Sequence, residues 1–278
     1  MRCLLWLLLV AVAAAQVPVS GPDLHGDIER TEFRSSLLPE PRTVLVYLPP
    51  GYRQSLRRYP VLYLQDGQND FDRQTSAFGQ EWGLDESAER LIRSHQMAPV
   101  IMVAVYNSAD RIVEYTPVSD PKHPGGGADR YIQFLLSELK PWVDHQYRTV
   151  PDDSAIMGSS LGGLLSLYAS WRHPDVFRRV GCVSPSLWWD GQWLTHAMAT
   201  SPPTPPLRRI WLDIGTEEGD EPAETVADTR RMHVVLQGAG YRDEQTLFYR
   251  EIPGAHHNET AWAARVPDIL VHLFPPGQ

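Results

Sequence analysis

Gly158-Ser159-Ser160-Leu161-Gly162 has the form G-x-S-x-G, with Ser160 at its centre. Ser154-Ala155-Ile156-Met157 before it reads as a short buried strand, and the small residues of 163–169 read as the start of a helix. A serine on a sharp strand-to-helix turn holds its hydroxyl clear of the backbone, and flanking glycines remove the side chains that would clash. A serine hydroxyl is a weak nucleophile without an adjacent base, and the base needs an acid to orient it. Two later stretches carry those residue types, each just past an apolar run: Gly215-Thr216-Glu217-Glu218-Gly219 and Ala255-His256-His257-Asn258-Glu259. Side chains in both places can converge over Ser160. Residue types alone leave Asp213, Glu217, Glu218 and Asp220 open as the acid, and His256 and His257 as the base.

Elements able to position such groups follow from the apolar pattern. Runs at 43–48, 61–65, 100–105, 154–157, 180–183, 209–214 and 246–249 read as strands, and 84–93, 131–144, 161–172, 223–238 and 260–273 as helices. Near-continuous apolar strands alternating with helices predict an α/β chain with a mostly parallel central sheet and helices on both faces. Residues 29–34 and the run after them predict an antiparallel hairpin at the sheet edge. The loops 121–127 and 201–206 lie inside the alternation, so residues 16–278 are read as a single catalytic domain.

The chain has 278 residues, 42% of them hydrophobic, which is enough for one large core. A formal net charge of −9 argues against a nucleic-acid partner, and no lysine or arginine run suggests an anionic membrane. Arg2, the apolar residues 4–12 and Ala13-Ala14-Ala15 read as a secretory signal peptide cut after Ala15. The apolar run is shorter than the roughly 20 residues a spanning helix needs. The expectation is an exported protein, periplasmic or secreted, without stable membrane insertion. Cleavage would leave Cys182 as the remaining cysteine, in an apolar run and without a disulfide partner. No metal-ligand spacing is visible, and the sequence carries no signal for an oligomeric state.

Several further motifs accompany the serine. They are Val61-Leu62-Tyr63-Leu64-Gln65-Asp66-Gly67-Gln68-Asn69, Asn107 with Arg111 and Glu114-Tyr115, and Ser184-Pro185-Ser186-Leu187-Trp188-Trp189. Gly215-Thr216-Glu217-Glu218 and 255–259 with Trp262 complete the set. In this order they resemble the Putative esterase family of α/β-hydrolases, over about residues 31–274. That family includes S-formylglutathione hydrolases of the esterase D type, antigen 85-type mycolyltransferases, feruloyl and acetylxylan esterases, and enterochelin esterases.

The resemblance implies an α/β-hydrolase fold, with Ser160 as nucleophile, His257 as base and Glu218 as acid. It implies an oxyanion hole made by the backbone N–H groups of Leu161 and Gln68, with Gly67 permitting the turn and Asp66 bonding neighbouring N–H groups. Trp82, Trp188 and Trp189 are candidate substrate-binding residues or packing residues, and Asn107 and Arg111, in a loop with Glu114, either bind substrate or pin that loop. His25, His95, His123, His145, His173, His196, His233 and His272 are expected at the surface. The implied activity is hydrolysis of a small-molecule or saccharide-linked carboxylic ester through an acyl-enzyme, with no metal or organic cofactor. Acyl transfer of the mycolyltransferase type and siderophore ester hydrolysis are the alternatives, and a non-catalytic binding protein on the same fold is the remote one.

Overall fold

The computed structural model describes residues 15–277 and the backbone of residues 12 and 13. Apart from those two and Ala15, the expected signal peptide lies outside the described residues. Among the described residues, ten strands form one sheet. β1 (Val12–Ala13) and β2 (Val17–Val19) both pair antiparallel with β3 (Asp27–Arg34), which pairs antiparallel with β4 (Arg42–Leu48). β5 (Tyr59–Gln65), β6 (Ile101–Val105), β7 (Thr149–Ser159), β8 (Phe177–Val183), β9 (Arg209–Gly215) and β10 (Leu247–Ile252) follow in the chain. In space their order is β6-β5-β7-β8-β9-β10, all parallel, with β4 antiparallel to β6. The hairpin expected from residue 29 onward is the β3–β4 pair.

Side chains alternate across this sheet, as the period of two in a strand requires. Val61 and Tyr63 enter one core, and Leu62 and Leu64 enter the other. The first core is covered by α5 (Leu161–Arg172), α7 (Pro222–Gly238) and a long helical run, α3 (Ala128–Phe134) and α4 (Lys140–Gln146) joined by a π-helical turn at Leu135–Leu139. The second is covered by α1 (Leu84–Arg93) and α9 (Val266–Leu273), which pack on each other. Every residue of β6 is buried on both sides, and each such Val or Ile contributes about 1.5–3 kcal/mol. Cys182 is also fully buried in the first core.

The topology places the functional loops. β5 feeds β6 on one side of itself, whereas β7 feeds β8 on the other. The chains leaving β5 and β7 therefore diverge at the carboxyl ends of two adjacent strands. Such a switch point opens a crevice where ligands bind in open α/β sheets. The loop holding Gln68 and the turn holding Ser160 both begin there.

Three helical readings change. Arg111 and Glu114 lie on a short helix, α2 (Arg111–Tyr115), not in a loop. The segment after Trp188 forms α6 (Trp189–Thr200). It begins with Asp190, Gly191 and Gln192 at φ of 45, 60 and 67°, a left-handed start that helical periodicity does not reveal. The helix expected over 260–273 is broken into α8 (Glu259–Ala263) and α9. Pro267 opens α9, where its missing N–H costs nothing.

His272 corrects the expectation for the outlying histidines. It is buried on α9 against Trp211 and Phe248, and its ring Nε2 lies 3.1 Å from the Ile210 carbonyl, to which it donates. Burial, with Arg209 nearby, lowers its pKa to about 4. Between pH 4 and 6.5 the unfolded chain therefore binds the proton that the folded chain refuses. Stability rises with pH across that window and is lost as pH falls through it, by on the order of 3 kcal/mol. Thermal melts from pH 7 to pH 4 should show this slope, and His272→Gln, which keeps a donor for Ile210, should flatten it. An unchanged slope in the variant would assign the acid sensitivity elsewhere.

Candidate active site

Ser160 sits between β7 and α5 at φ 56° and ψ −123°. A non-glycine residue held there costs of order 1–3 kcal/mol, which neighbouring bonds must offset. Its N–H donates to Val183 O at 3.0 Å, and its carbonyl accepts from Leu164 and Ser186, each at 3.0 Å. The flanking glycines make the turn possible. A Cβ on Gly158 would lie 2.7 Å from the backbone of Gly162, and one on Gly162 would press on Gln65 and Asp66.

His257 lies past β10, immediately before α8. Asn258 caps that helix by accepting from the Ala261 N–H at 2.9 Å, which fixes the backbone next to the imidazole. His257 Nε2 lies 2.9 Å from Ser160 Oγ, and its Nδ1 lies 2.8 Å from Glu218 Oε2. The edge-on indole of Trp262, 4.8 Å away between ring centres, braces the imidazole. Glu218 is fully buried at the end of a turn after β9. That turn is zipped to the His257 loop: Thr216 N–H donates to Ile252 O, Glu217 N–H to Ala255 O, and Gly254 N–H to Thr216 Oγ1, at 2.8–3.0 Å. Gly215 is obligatory, because a Cβ there would meet Ala255 O at 2.3 Å. Of the alternatives, His256 Nδ1 is 3.1 Å from the Glu217 carbonyl, and Asp213 lies beneath the site rather than against an imidazole.

The spacing gives no signal for Arg265, one of a second set of residues that holds Glu218. Its Oε1 accepts from Ser184 Oγ at 2.6 Å and from the Gly215 N–H at 2.7 Å. Ser184 Oγ in turn accepts from Trp262 Nε1 at 3.0 Å and from Arg265 Nη1 at 2.9 Å. One hydroxyl proton and two lone pairs are thus all engaged. Arg265, buried at the break between α8 and α9, also reaches Asp213 Oδ1 at 2.6 Å and Glu218 Oε1 at 3.4 Å. Asp213 is pinned by Trp211 Nε1 and by the Ser184 N–H. Burial pushes the Glu218 carboxyl up, but the bonds from His257, Ser184 and Gly215 outweigh it and hold it below the usual value. Glu218 stays ionised. Burial pushes Asp213 up despite Arg265.

The loop that holds Gln68 has its own brace. Asp66 adopts a left-handed conformation at φ 60°. Its carboxylate receives Arg111 Nε and Nη2, each at 2.7 Å, and Asn107 Nδ2 at 2.6 Å. Asp66 therefore binds side chains rather than the backbone N–H groups expected from the sequence, and Asn107 and Arg111 reach the cavity as the parts that hold this loop. Glu114, on the same helix as Arg111, pairs with buried Arg42 of β4. Gly67 is packed so tightly on β6 that a Cβ would lie 2.6 Å from the Ala104 carbonyl carbon. Among the described residues, neither the Gln68 nor the Leu161 N–H has an acceptor.

A cavity of about 610 Å³ opens over these groups, with Asp66, Gln68, Phe78, Arg111, Ser160 and His257 on its walls. Phe78 is 78% exposed. Trp262 also lines the cavity, whereas the three candidate tryptophans do not. Trp82 is buried against Trp262, Trp189 is buried with its N–H on Val118 O, and Trp188 is exposed beside Trp189 and His123. The spacing missed Phe78, which lies in a stretch without periodicity.

Residues 35–273 match the family described as "Putative esterase". The chain belongs to this family. It is a carboxylic-ester hydrolase with an α/β-hydrolase type of fold, a mostly parallel sheet with helices around it. It is 30% identical over 263 residues, or 90% of its length, to an endo-1,4-beta-xylanase/feruloyl esterase of Xylanibacter ruminicola, and spans 32% of that enzyme. It is 30% identical over 147 residues, 49% of its length, to a siderophore triacetylfusarinine C esterase of Aspergillus fumigatus, and spans 47% of it. The chain thus covers about a third and about half of these two relatives. The crystal structure of an IroE-like serine hydrolase from Shewanella oneidensis superposes with a TM-score of 0.70 at 24% identity, covering 89% of this chain and 79% of the other.

Proposed function

We propose that this esterase is an exported serine hydrolase whose residues 16–278 act as one catalytic domain. The observation that carries the reading is the continuous Ser160–His257–Glu218 chain, at 2.9 and 2.8 Å. Ser160 Oγ attacks the ester carbonyl and His257 Nε2 takes its proton. The carbonyl π pair moves onto oxygen, where the N–H groups of Leu161 and Gln68 receive it. Leu161 suits that role because it opens α5, whose N-terminus carries partial positive charge. The tetrahedral intermediate collapses, the C–O bond to the alcohol breaks, and His257 returns its proton to the leaving oxygen. Water, deprotonated by His257, then attacks the acyl-enzyme and frees Ser160.

Glu218 keeps Nδ1 protonated and Nε2 free to accept. The buried charges Asp213, Glu218 and Arg265 sum to minus one, which becomes neutral when His257 carries its proton. The substrate class we infer is a small-molecule or saccharide-linked ester whose acyl part lies along Phe78, because that ring is a large apolar surface at the mouth. Feruloyl and siderophore esters, the substrates named for its two relatives, are the first to try. Export is supported by Arg2, the apolar residues 4–12 and the three alanines that follow. No helix among the described residues is long and apolar enough to cross a membrane.

Labelling with a fluorophosphonate, followed by peptide mapping, tests the mechanism. The adduct is expected on Ser160 in stoichiometric amount, with loss of activity toward a nitrophenyl ester, methyl ferulate and a siderophore ester. A labelled residue elsewhere, or full activity after complete labelling, would sink the proposal.

A further inference from the structure

Away from the crevice, three carboxylic acids crowd the first turn of α1 and the residues before it. Asp85 is fully buried, Glu81 nearly so, and Glu86 is partly covered. Among the described residues no lysine or arginine lies within ion-pair distance of any of them. Their sole such partner is an imidazole: His25 Nδ1 is 3.1 Å from Glu86 Oε1. His25 is delivered by a turn at Gly26, where φ is 84° and a Cβ would strike Tyr47 and Glu89. Its backbone N–H donates to Asp85 Oδ2 at 2.7 Å. One nitrogen of His25, one oxygen of Asp85 and one of Glu86 all lie within 4.8 Å of one another.

The orphaned oxygens point to what is missing. Asp85 Oδ1, Glu86 Oε2 and Glu81 Oε2 are all buried with no hydrogen-bond partner. Carboxylates out of water are costly unless a positive group meets them. Protons would neutralise the acids and leave the His25 ring with Glu86 as its one partner. A metal ion would engage the imidazole and the carboxylates together. Two ligands at about 2.05 Å from a tetrahedral zinc lie roughly 3.3 Å apart, close to the 3.1 Å between His25 and Glu86. About half of the His25 side chain is exposed, which leaves its ring room to turn toward Asp85.

We propose that His25 Nδ1, Asp85 and Glu86 form a structural site for a divalent cation of the zinc class, with Glu81 adding negative charge beside it. A mixed nitrogen and carboxylate set favours Zn²⁺ over Ca²⁺ or Mg²⁺, which prefer oxygen alone. The ion would fasten the loop carrying His25 to the start of α1. Trp82, two residues before that helix, packs on Trp262, which packs on His257. The site therefore braces the wall behind the base without touching the reacting atoms.

Titration of tag-free, chelator-treated protein with Zn²⁺ by calorimetry tests this, with Tm measured alongside and Ca²⁺ and Mg²⁺ as comparisons. One Zn²⁺ per chain is expected, with a Tm rise of roughly 5 °C at a hundredfold excess over Kd. His25→Ala, an exposed change that leaves the fold intact, should weaken Zn²⁺ binding at least tenfold and remove the Tm rise. Glu86→Gln should do the same, which guards against an Asp85→Asn variant that fails to fold. No stoichiometric Zn²⁺, an affinity unchanged in both variants, or a preference for Ca²⁺ or Mg²⁺ would overturn the site, leaving acids that share protons.

Discussion

Ser160→Ala is expected to lower kcat/KM for a nitrophenyl ester by on the order of 10⁵-fold or more, with Tm little changed. The size follows from the way the three groups act together. In the proposed mechanism, losing Oγ removes the acyl-enzyme and the group that His257 would deprotonate. What remains is the oxyanion hole and binding, which still exceed water by about 10³–10⁴-fold. Stability should hold because the Ser160 side chain makes no capping bond to α5, so alanine deletes one oxygen and leaves the bonds through N–H and C=O in place. Ser186 is the informative control. Its Oγ lies 3.3 Å from Ser160 Oγ, but no imidazole is paired with it, and Ser186→Ala should retain most activity. Steady-state kinetics on purified, folded variants decide the matter. More than a hundredth of the wild-type rate in Ser160→Ala would mean that a different nucleophile operates.

Arg265→Met is expected to be the most destabilising single change near the site. The guanidinium is buried and holds Asp213, Ser184 and Glu218 at once. Methionine fills similar space but leaves two fully buried carboxylates without a cation. Losing one partner of a buried ionic cluster costs about 3–5 kcal/mol, because the remaining charge is stranded out of water. Tm should fall by roughly 6–15 °C, and kcat should fall as well, since Glu218 loses its lateral support. Arg265→Lys separates charge from shape. A lysine restores a cation but not the planar fork that reaches two carboxylates, so it should recover part of the stability and less of kcat. A melt within 2 °C of wild type for Arg265→Met would show that Asp213 is protonated and that the cluster carries no strain.

Local signals made part of this site legible. A serine between glycines announces its own turn, and an acid and a histidine each just past an apolar strand announce loops at one end of a sheet. Those are properties of a few consecutive residues. Arg265 has no such signature, and nothing local in the chain joins it to Ser184 and Asp213 behind Glu218. They meet because β8, β9 and α9 are brought together by the sheet, and Arg265 points inward only because the helix breaks before Pro267. Residues 188 and 189 follow a strand end, yet Trp189 is buried with its N–H on Val118 O and Trp188 lies beside it, contacts that strand position does not reveal. Arg111 and Asn107 were legible as polar residues near the site. Their shared attachment to Asp66 was not, because it spans more than forty residues of chain. His272 has the composition of a surface residue and becomes buried only where α9 lies on β9.

The order in which the sheet is laid down has a consequence for the life of the chain. Ser160 precedes His257 by 97 residues and Glu218 precedes it by 39. At about 5–20 residues per second, the ribosome completes the serine turn roughly 5–20 s before the imidazole exists. β10, whose loop delivers that imidazole, is the last strand and lies at the far edge of the parallel stack. Over those 97 residues the nascent polypeptide carries a serine turn without its imidazole. In the proposed mechanism, ester-cleaving competence therefore waits until β10 has joined the sheet and delivered His257.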